Sequence, residues 1–248
     1  MTALRGKCAL VTGAGQRVGA AIARALGEAG MRVAVHFHQS REGAALVAQE
    51  ITQAGGEAQL FSADLSKQAE CDQLVDSVLA AFGGLDTLVL SAANFDRVEF
   101  TEITAEHFER ALGLNLLAPF RLAHRAAPAL SATRGSIVFI TCSSARTPYK
   151  NHLPYVVSKG ALSHLTQVLA LELAPLVRVN AVAPGTVLPP QDMSEAAVAS
   201  LANAVPLRRT GTAEDIAQAV LYLAQADFVT GQELSVDGGR STAKIGRF

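Results

Sequence analysis

At 248 residues, half of them hydrophobic and 17% charged, the chain has apolar material for a sizeable buried core and is far from the composition of a disordered protein. A net charge of −1, with scattered arginines and no basic stripe, excludes nucleic acid as a partner, and no run of about 18 apolar residues is present to cross a bilayer. Met1 to Lys7 lacks the apolar centre of a signal peptide, and the three cysteines, Cys8, Cys71 and Cys142, suit a reducing compartment, so a cytoplasmic protein is expected.

The short apolar run Lys7 to Thr12 predicts a first strand, followed by a glycine-rich turn and a helix over Val18 to Ala29 that Gly30 stops. Further strands are expected near Arg32 to His38, Glu57 to Ser62, Asp86 to Leu90, Ser136 to Thr141, Val177 to Val182 and Glu233 to Val236, with helical stretches between most of them. Continuous apolar strands such as Ile137-Val138-Phe139-Ile140 are expected where helices cover both faces of a parallel sheet. The alternation predicts the α/β class: a doubly wound parallel sheet of about seven strands in three layers, with residues 1–248 as one domain because no linker interrupts them. Ligands of such sheets bind beyond the carboxyl ends of the strands, so the loops after Val11, Val35, Phe61, Leu90, Ile140 and Val182 are expected to line the site.

The loop Thr12-Gly13-Ala14-Gly15-Gln16-Arg17-Val18-Gly19 allows a tight turn in which backbone amides approach a pyrophosphate at a helix N-terminus; an ordinary strand-to-helix turn is the alternative. The second strand ends in His36-Phe37-His38-Gln39-Ser40-Arg41, with no acidic residue to hold the ribose hydroxyls of NAD. Ser40, Arg41 and the imidazoles could instead hold a 2′-phosphate, which favours NADPH. His36 and His38 share a strand face, but without a third ligand nearby no metal is expected. Asp64, after the third strand, reads either as a helix N-cap or as an acceptor for a ligand. Asn115 is a lone amide on an apolar helical stretch and needs partners if buried. Tyr155 and Lys159 stand four residues apart on one helix face, where an ammonium would lower the phenol toward neutrality, as a general acid or base requires. Cys8 and Cys71 read as core fillers, and no histidine stands at obvious spacing to activate Cys142 as a nucleophile.

Thr12 to Gly19 is close to the pattern T-G-x-x-x-G-x-G and, with Tyr155-x-x-x-Lys159, resembles the short-chain dehydrogenase/reductase superfamily over nearly the whole chain. Pro184-Gly185-Thr186 is similar to that family's turn beside the nicotinamide, and Val236-Asp237-Gly238-Gly239 to its closing strand and turn. The resemblance implies a Rossmann-type fold binding NADP(H) through Gly13, Gly15, Gln16, Arg17, Val18, Gly19, His38, Gln39, Ser40, Asp64, Leu65, Ala92, Tyr155, Lys159, Pro184, Gly185 and Val187. It gives Tyr155 the role of proton donor and Lys159 that of its electrostatic partner; Asp64 would accept from the adenine amino group, and the Asn115 carbonyl would hold a relay water.

The family's serine, 13 residues before the tyrosine, falls on Cys142, with Ser143 next. Either Cys142 acts there as a weak donor, or Ser143 turns in, or the thiol itself takes part. The usual N-N-A-G segment is replaced at Ser91-Ala92-Ala93-Asn94. Arg17, where the superfamily usually has glycine, and the run His36 to Ser40 look like the pteridine reductase branch. That branch implies that Arg17 faces phosphate and substrate and that Phe95 stacks on a flat substrate; a plain core position is the alternative for Phe95.

Three functions are implied. The first is hydride transfer from NADPH to a C=O or C=N carbon by a pteridine-reductase-like enzyme. The second is a general carbonyl or 3-oxoacyl-carrier-protein reductase. The third is a cofactor-sensing protein with weak turnover. A small-molecule substrate is expected, with self-association to a homotetramer or dimer, because Leu114 to Leu130 and Leu153 to Leu173 exceed what one sheet face needs and the superfamily pairs these helices between subunits. The stretch Thr186 to Val205, with Pro189-Pro190 and an amphipathic Ser194 to Leu201, is consistent with a flap.

Overall fold

A computed structural model describes residues 3–188 and 193–243. Seven strands, β1 (Cys8–Thr12), β2 (Arg32–Phe37), β3 (Glu57–Ser62), β4 (Thr87–Leu90), β5 (Ser136–Ile140), β6 (Arg178–Pro184) and β7 (Glu233–Val236), form one sheet in the order β3-β2-β1-β4-β5-β6-β7. Every neighbouring pair is parallel. The helices between them are α1 (Arg17–Glu28), α2 (Arg41–Gln53), α3 (Gln68–Phe82), α4 (Ala105–Leu112), α5 (Ala118–Thr133), α6 (Leu153–Glu172), α7 (Glu195–Asn203) and α8 (Ala213–Gln225), with a short α9 (Arg240–Ala243) after β7. The expected α/β class, strand count and strand positions all hold, with boundaries moved by no more than about two residues.

Successive side chains of a strand point to opposite faces, and β1 shows how this makes two cores from one apolar run. Ala9 and Val11 pack with Val33, Val35 and Val182 under Ile22 and Leu26 of α1, Ile51 of α2 and Ile216 and Val220 of α8. Cys8 and Leu10 face the other way, onto Leu74 and Val78 of α3, Leu122 and Leu130 of α5 and Leu162 of α6. β1, β4 and β5 are buried at every residue, which is why they read as unbroken apolar runs. The edge strand β3 is instead largely exposed and alternates in composition. Cys8 and Cys71 are buried among these apolar groups as expected, and burial raises both thiols, that of Cys71 to about 11.

β1 pairs with β2 on one side and β4 on the other, so the chain changes winding direction between β1 and β4, and a crevice opens above their carboxyl ends. Thr12 stitches that crevice: its hydroxyl oxygen accepts the amides of Ser91 at 3.0 Å and Ala92 at 3.1 Å, holding the end of β4 beside the glycine loop. Between α4 and α5 the helix widens into a π-turn over Gly113–Leu117, centred on Asn115. Such turns insert a residue into the helical ladder and recur at functional sites. Among the described residues no helix is long and apolar enough to cross a membrane.

Candidate active site

A cavity of about 1260 Å³ follows the carboxyl ends of the strands, running from the glycine loop past β2, β4 and β5 to the segment after β6. That volume exceeds what a drug-sized ligand needs and accommodates a dinucleotide together with a small substrate. Gly13, Gln16, Arg17, Val18, Gly19, His38, Gln39, Ser40, Asp64, Leu65, Ala92, Phe95, Cys142, Ser143, Tyr155, Lys159, Pro184, Gly185 and Val187 all line it, which brings together nearly every site residue named from the sequence.

At the glycine loop, Gly13 adopts φ +65, and a β-carbon there would lie 2.9 Å from the Ala92 Cα, so glycine serves both the turn and the close approach of β4. Arg17 also has positive φ, at 51, which explains why a glycine is usual at this position. The arginine accepts a left-handed backbone at a cost of about 1–2 kcal/mol, and its Nη2 donates to the Leu188 carbonyl at 2.7 Å, reaching across the cavity. His36 braces the loop from below. Its Nδ1 accepts the Gly13 amide at 3.1 Å, so Nε2 carries the proton and donates to the Ala63 carbonyl at 3.1 Å. Both ring nitrogens are thus occupied by backbone, and the ring has none left for a metal. Burial, with His38 adding to it, lowers His36 to about 4.

His38 and Gln39 are exposed and Ser40 half-buried where the cavity passes β2; Arg41 opens α2 beside them. Asp64 caps no helix: α3 begins after Lys67, and the Asp64 carboxylate closes a local turn by accepting the Ser66 amide at 3.1 Å and hydroxyl at 2.7 Å. The Ser66 hydrogen bonds hold this carboxylate below its usual range, so an acceptor faces this end of the cavity.

The buried amide of Asn115 finds three partners. Its Oδ1 accepts the Asn94 amide at 2.9 Å, and its Nδ2 donates to the Asn94 carbonyl at 3.2 Å and to Ser158 Oγ at 3.0 Å. Ser158 Oγ in turn donates to the Tyr155 carbonyl at 2.7 Å. The side chain therefore ties the loop after β4 to the turn of α6 that carries Tyr155.

Tyr155 and Lys159 share a face of α6 as expected, with the Lys159 Nζ 5.8 Å from the centre of the Tyr155 ring. The expected lowering of the phenol is corrected by the structure. Burial, followed by the neighbouring Cys142 sulfur and Tyr149, pushes Tyr155 well above the usual phenol range. The ammonium is spent elsewhere: Lys159 is buried and donates to the Ile140 carbonyl at 2.7 Å, and burial lowers it to about 8. Of the two candidates for the serine position, Cys142 is the one that acts on both tyrosines, adding to the rise that burial imposes on Tyr155 and Tyr149. Its sulfur accepts the Ser144 amide at 3.4 Å.

Phe95 is exposed at the cavity mouth and does not belong to the core. One face stacks on His152 at 4.2 Å, and its ring meets Tyr155 edge-on at 4.7 Å. Tyr149, His152 and Arg240 line or flank the cavity and were not named from the sequence. Tyr149 and His152 lie six and three residues before Tyr155, a proximity that could have flagged them. Arg240 follows the glycine turn, whose family match was noticed without its next residue. Of the expected flap, residues Pro189 and Pro190 lie outside the described residues, while the amphipathic stretch forms α7.

A sequence model of the enoyl-(acyl carrier protein) reductase family matches residues 13–241. The chain is 35% identical to 3β-hydroxysteroid dehydrogenase 1 of Eggerthella lenta over 245 residues, which cover 95% of this chain and 94% of that one. Among solved structures, a blue fluorescent protein from a metagenomic library, in complex with NADPH, superposes with a TM-score of 0.89 at 32% identity, covering 96% of this chain and 99% of that chain. A 7α-hydroxysteroid dehydrogenase complexed with NADH and 7-oxo glycochenodeoxycholic acid gives 0.90 at 34% identity, covering 96% of each.

Proposed function

Since the chain belongs to the short-chain dehydrogenase/reductase superfamily and is an oxidoreductase, we propose that it reduces a C=O or C=N carbon with NADPH, Tyr155 giving the proton. The observation that carries this reading is the continuity of one cavity from the glycine loop to Tyr155, Lys159 and Cys142. The donors at its β2 end support NADPH: His38, Gln39 and Ser40 line the wall where an NAD enzyme would present a carboxylate. When bound, NADPH supplies the hydride.

The protein's own residues do the rest. Tyr155, kept protonated by its burial, donates to the substrate heteroatom as negative charge develops there. Cys142 lies beside that phenol. Lys159 places a positive charge behind the ring and is itself held by the Ile140 carbonyl. Asn115 keeps the Tyr155 turn in register with the loop after β4.

For the substrate we propose a pteridine-reductase-like activity, supported by Arg17 reaching across the cavity and by Phe95 at its mouth. A general carbonyl reductase is the second reading, favoured by the similarity to a hydroxysteroid dehydrogenase. Cofactor oxidation with dihydrobiopterin, dihydrofolate and an acetoacetyl thioester separates the two. A preference for NADPH over NADH of at least tenfold, about 1.4 kcal/mol, is expected; equal kcat/KM with both cofactors refutes the assignment of the β2 end. We also propose a homotetramer, supported by apolar side chains exposed on α6 and around the start of α5, among them Leu117, Phe120, Val168 and Leu171. A monomer by light scattering at micromolar concentration refutes it.

A further inference from the structure

The substrate end of the cavity carries a positive charge that hydride transfer does not call for. Beyond Tyr155 the wall is the segment from Thr186 to Leu188, and a guanidinium meets it from each side: Arg17 Nη2 on the Leu188 carbonyl and Arg240 Nη1 on the Thr186 hydroxyl. Arg17 belongs to the glycine loop. Arg240 belongs to nothing described so far.

The fold builds a support for Arg240. After β7 the chain turns through Gly238 and Gly239, both at positive φ, and Asp237 closes the turn by accepting the Gly239 amide at 2.9 Å and the Ser241 amide at 2.8 Å. The Arg240 amide donates to the Asp237 carbonyl at 3.2 Å, so the residue is fixed at the first position of α9 with its side chain directed back into the cavity. The Asp237 carboxylate is occupied by those amides. Among the described residues the side-chain partner of Arg240 is the neutral Thr186 hydroxyl, and none of their ion pairs includes it. A guanidinium has five donors in a planar fork suited to two oxygens of one anion, and among the described residues its side chain has one partner.

Tyr149 and Tyr155 both line the cavity beside Cys142, and the positive charge of Arg240 acts on the Tyr149 hydroxyl, opposing the rise that burial imposes. Among the described residues, other charged groups that line the cavity include Arg17, Glu109 and Arg110, and Arg110 is paired with Asp96 at 2.8 Å.

We propose that Arg240 makes the site selective for substrates that carry a carboxylate on the far side of the molecule from the carbon to be reduced. The position of that carbon rests on the reductase reading above; the anion site itself does not.

The test uses 4-carboxybenzaldehyde and its methyl ester, which match around the aldehyde and differ in charge at the opposite end. With saturating NADPH, the wild-type protein is expected to favour the acid over the ester by at least tenfold in kcat/KM, the difference residing in KM. Arg240→Met should bring that ratio close to one, and Arg240→Lys, which retains the charge without the fork, should keep part of it. A ratio that Arg240→Met leaves unchanged overturns the proposal, as does a wild-type protein that reduces both compounds equally well. Calorimetric titration of both proteins with 4-carboxybenzoate separates this proposal from the reductase reading. If neither aldehyde is turned over, binding weakened at least tenfold in Arg240→Met upholds the anion site while the reductase reading falls, and equal affinity overturns the anion site.

Discussion

Replacing His36 with asparagine should make the stability of the fold less sensitive to acid. In the unfolded chain this imidazole titrates near 6.5, and in the folded protein burial takes it to about 4. Between those values the unfolded state binds a proton that the folded state refuses, so stability falls as pH drops from 6.5 to 4 and is unaffected by this group below 4. The full difference is worth about 3 kcal/mol at 1.36 kcal/mol per factor of ten, and most of it is lost between pH 7.5 and 4.5. Against a total stability of roughly 5–15 kcal/mol, that is a large share from one side chain.

Asparagine can still offer an oxygen to the Gly13 amide, so His36→Asn costs about 1–2 kcal/mol at pH 7.5 for the lost Ala63 contact. The informative quantity is the difference between pH values. Urea unfolding of both proteins at pH 7.5 and 4.5 should show the wild type losing about 2–3 kcal/mol more than the variant over that interval. Equal losses would mean that His36 is charged in the folded state, and its placement under the Gly13 amide as a neutral acceptor would be wrong.

Tyr155→Phe retains the ring that Phe95 and Lys159 contact and removes the proton, so it should bind NADPH normally and lose about 10² to 10⁴ in kcat; a loss under tenfold in single-turnover assays would remove Tyr155 as proton donor. Cys142→Ser puts a stronger donor beside both tyrosine hydroxyls and should maintain or raise kcat, whereas Ser143→Ala should change it less than threefold; a collapse of Cys142→Ser with the fold intact would mean that the thiol takes part in the chemistry.

The fold was legible because its signals are local. Unbroken apolar runs give buried parallel strands, and helical periodicity gives the layers over them, so even strand ends were placed to within two residues. The lining of the cavity followed from one rule of doubly wound sheets applied to six loops. Illegible were the properties that depend on who sits next to whom across the chain. Asn115 was seen to need partners, but that they are Asn94 and Ser158 is a fact of three elements meeting. The state of Tyr155 was misread because the i,i+4 spacing shows that Lys159 is near, not that its ammonium is taken by Ile140 from β5. Arg240 was overlooked for the same reason: what aims it at the cavity is Thr186, 54 positions away.

The two buried groups together set a direction for the chemistry. A phenol raised well above its usual range remains protonated throughout the neutral range, which is the state a proton donor needs and the wrong state for a base. Lys159, at about 8, carries its charge at pH 7 and loses it as pH rises through 8, so alkaline conditions remove the positive charge behind the ring while Tyr155 is still protonated. Reduction should therefore keep a constant kcat/KM from pH 6 to 7 and decline above about 8, while oxidation of the matching alcohol at pH 7 should be slow. In Lys159→Met the decline above 8 should vanish, because the group that titrates there is gone, leaving a lower rate without that limb. If oxidation of the alcohol at pH 7 instead outpaces reduction, the reacting form of Tyr155 is the phenolate, and the protein works in the oxidative direction with its tyrosine as base.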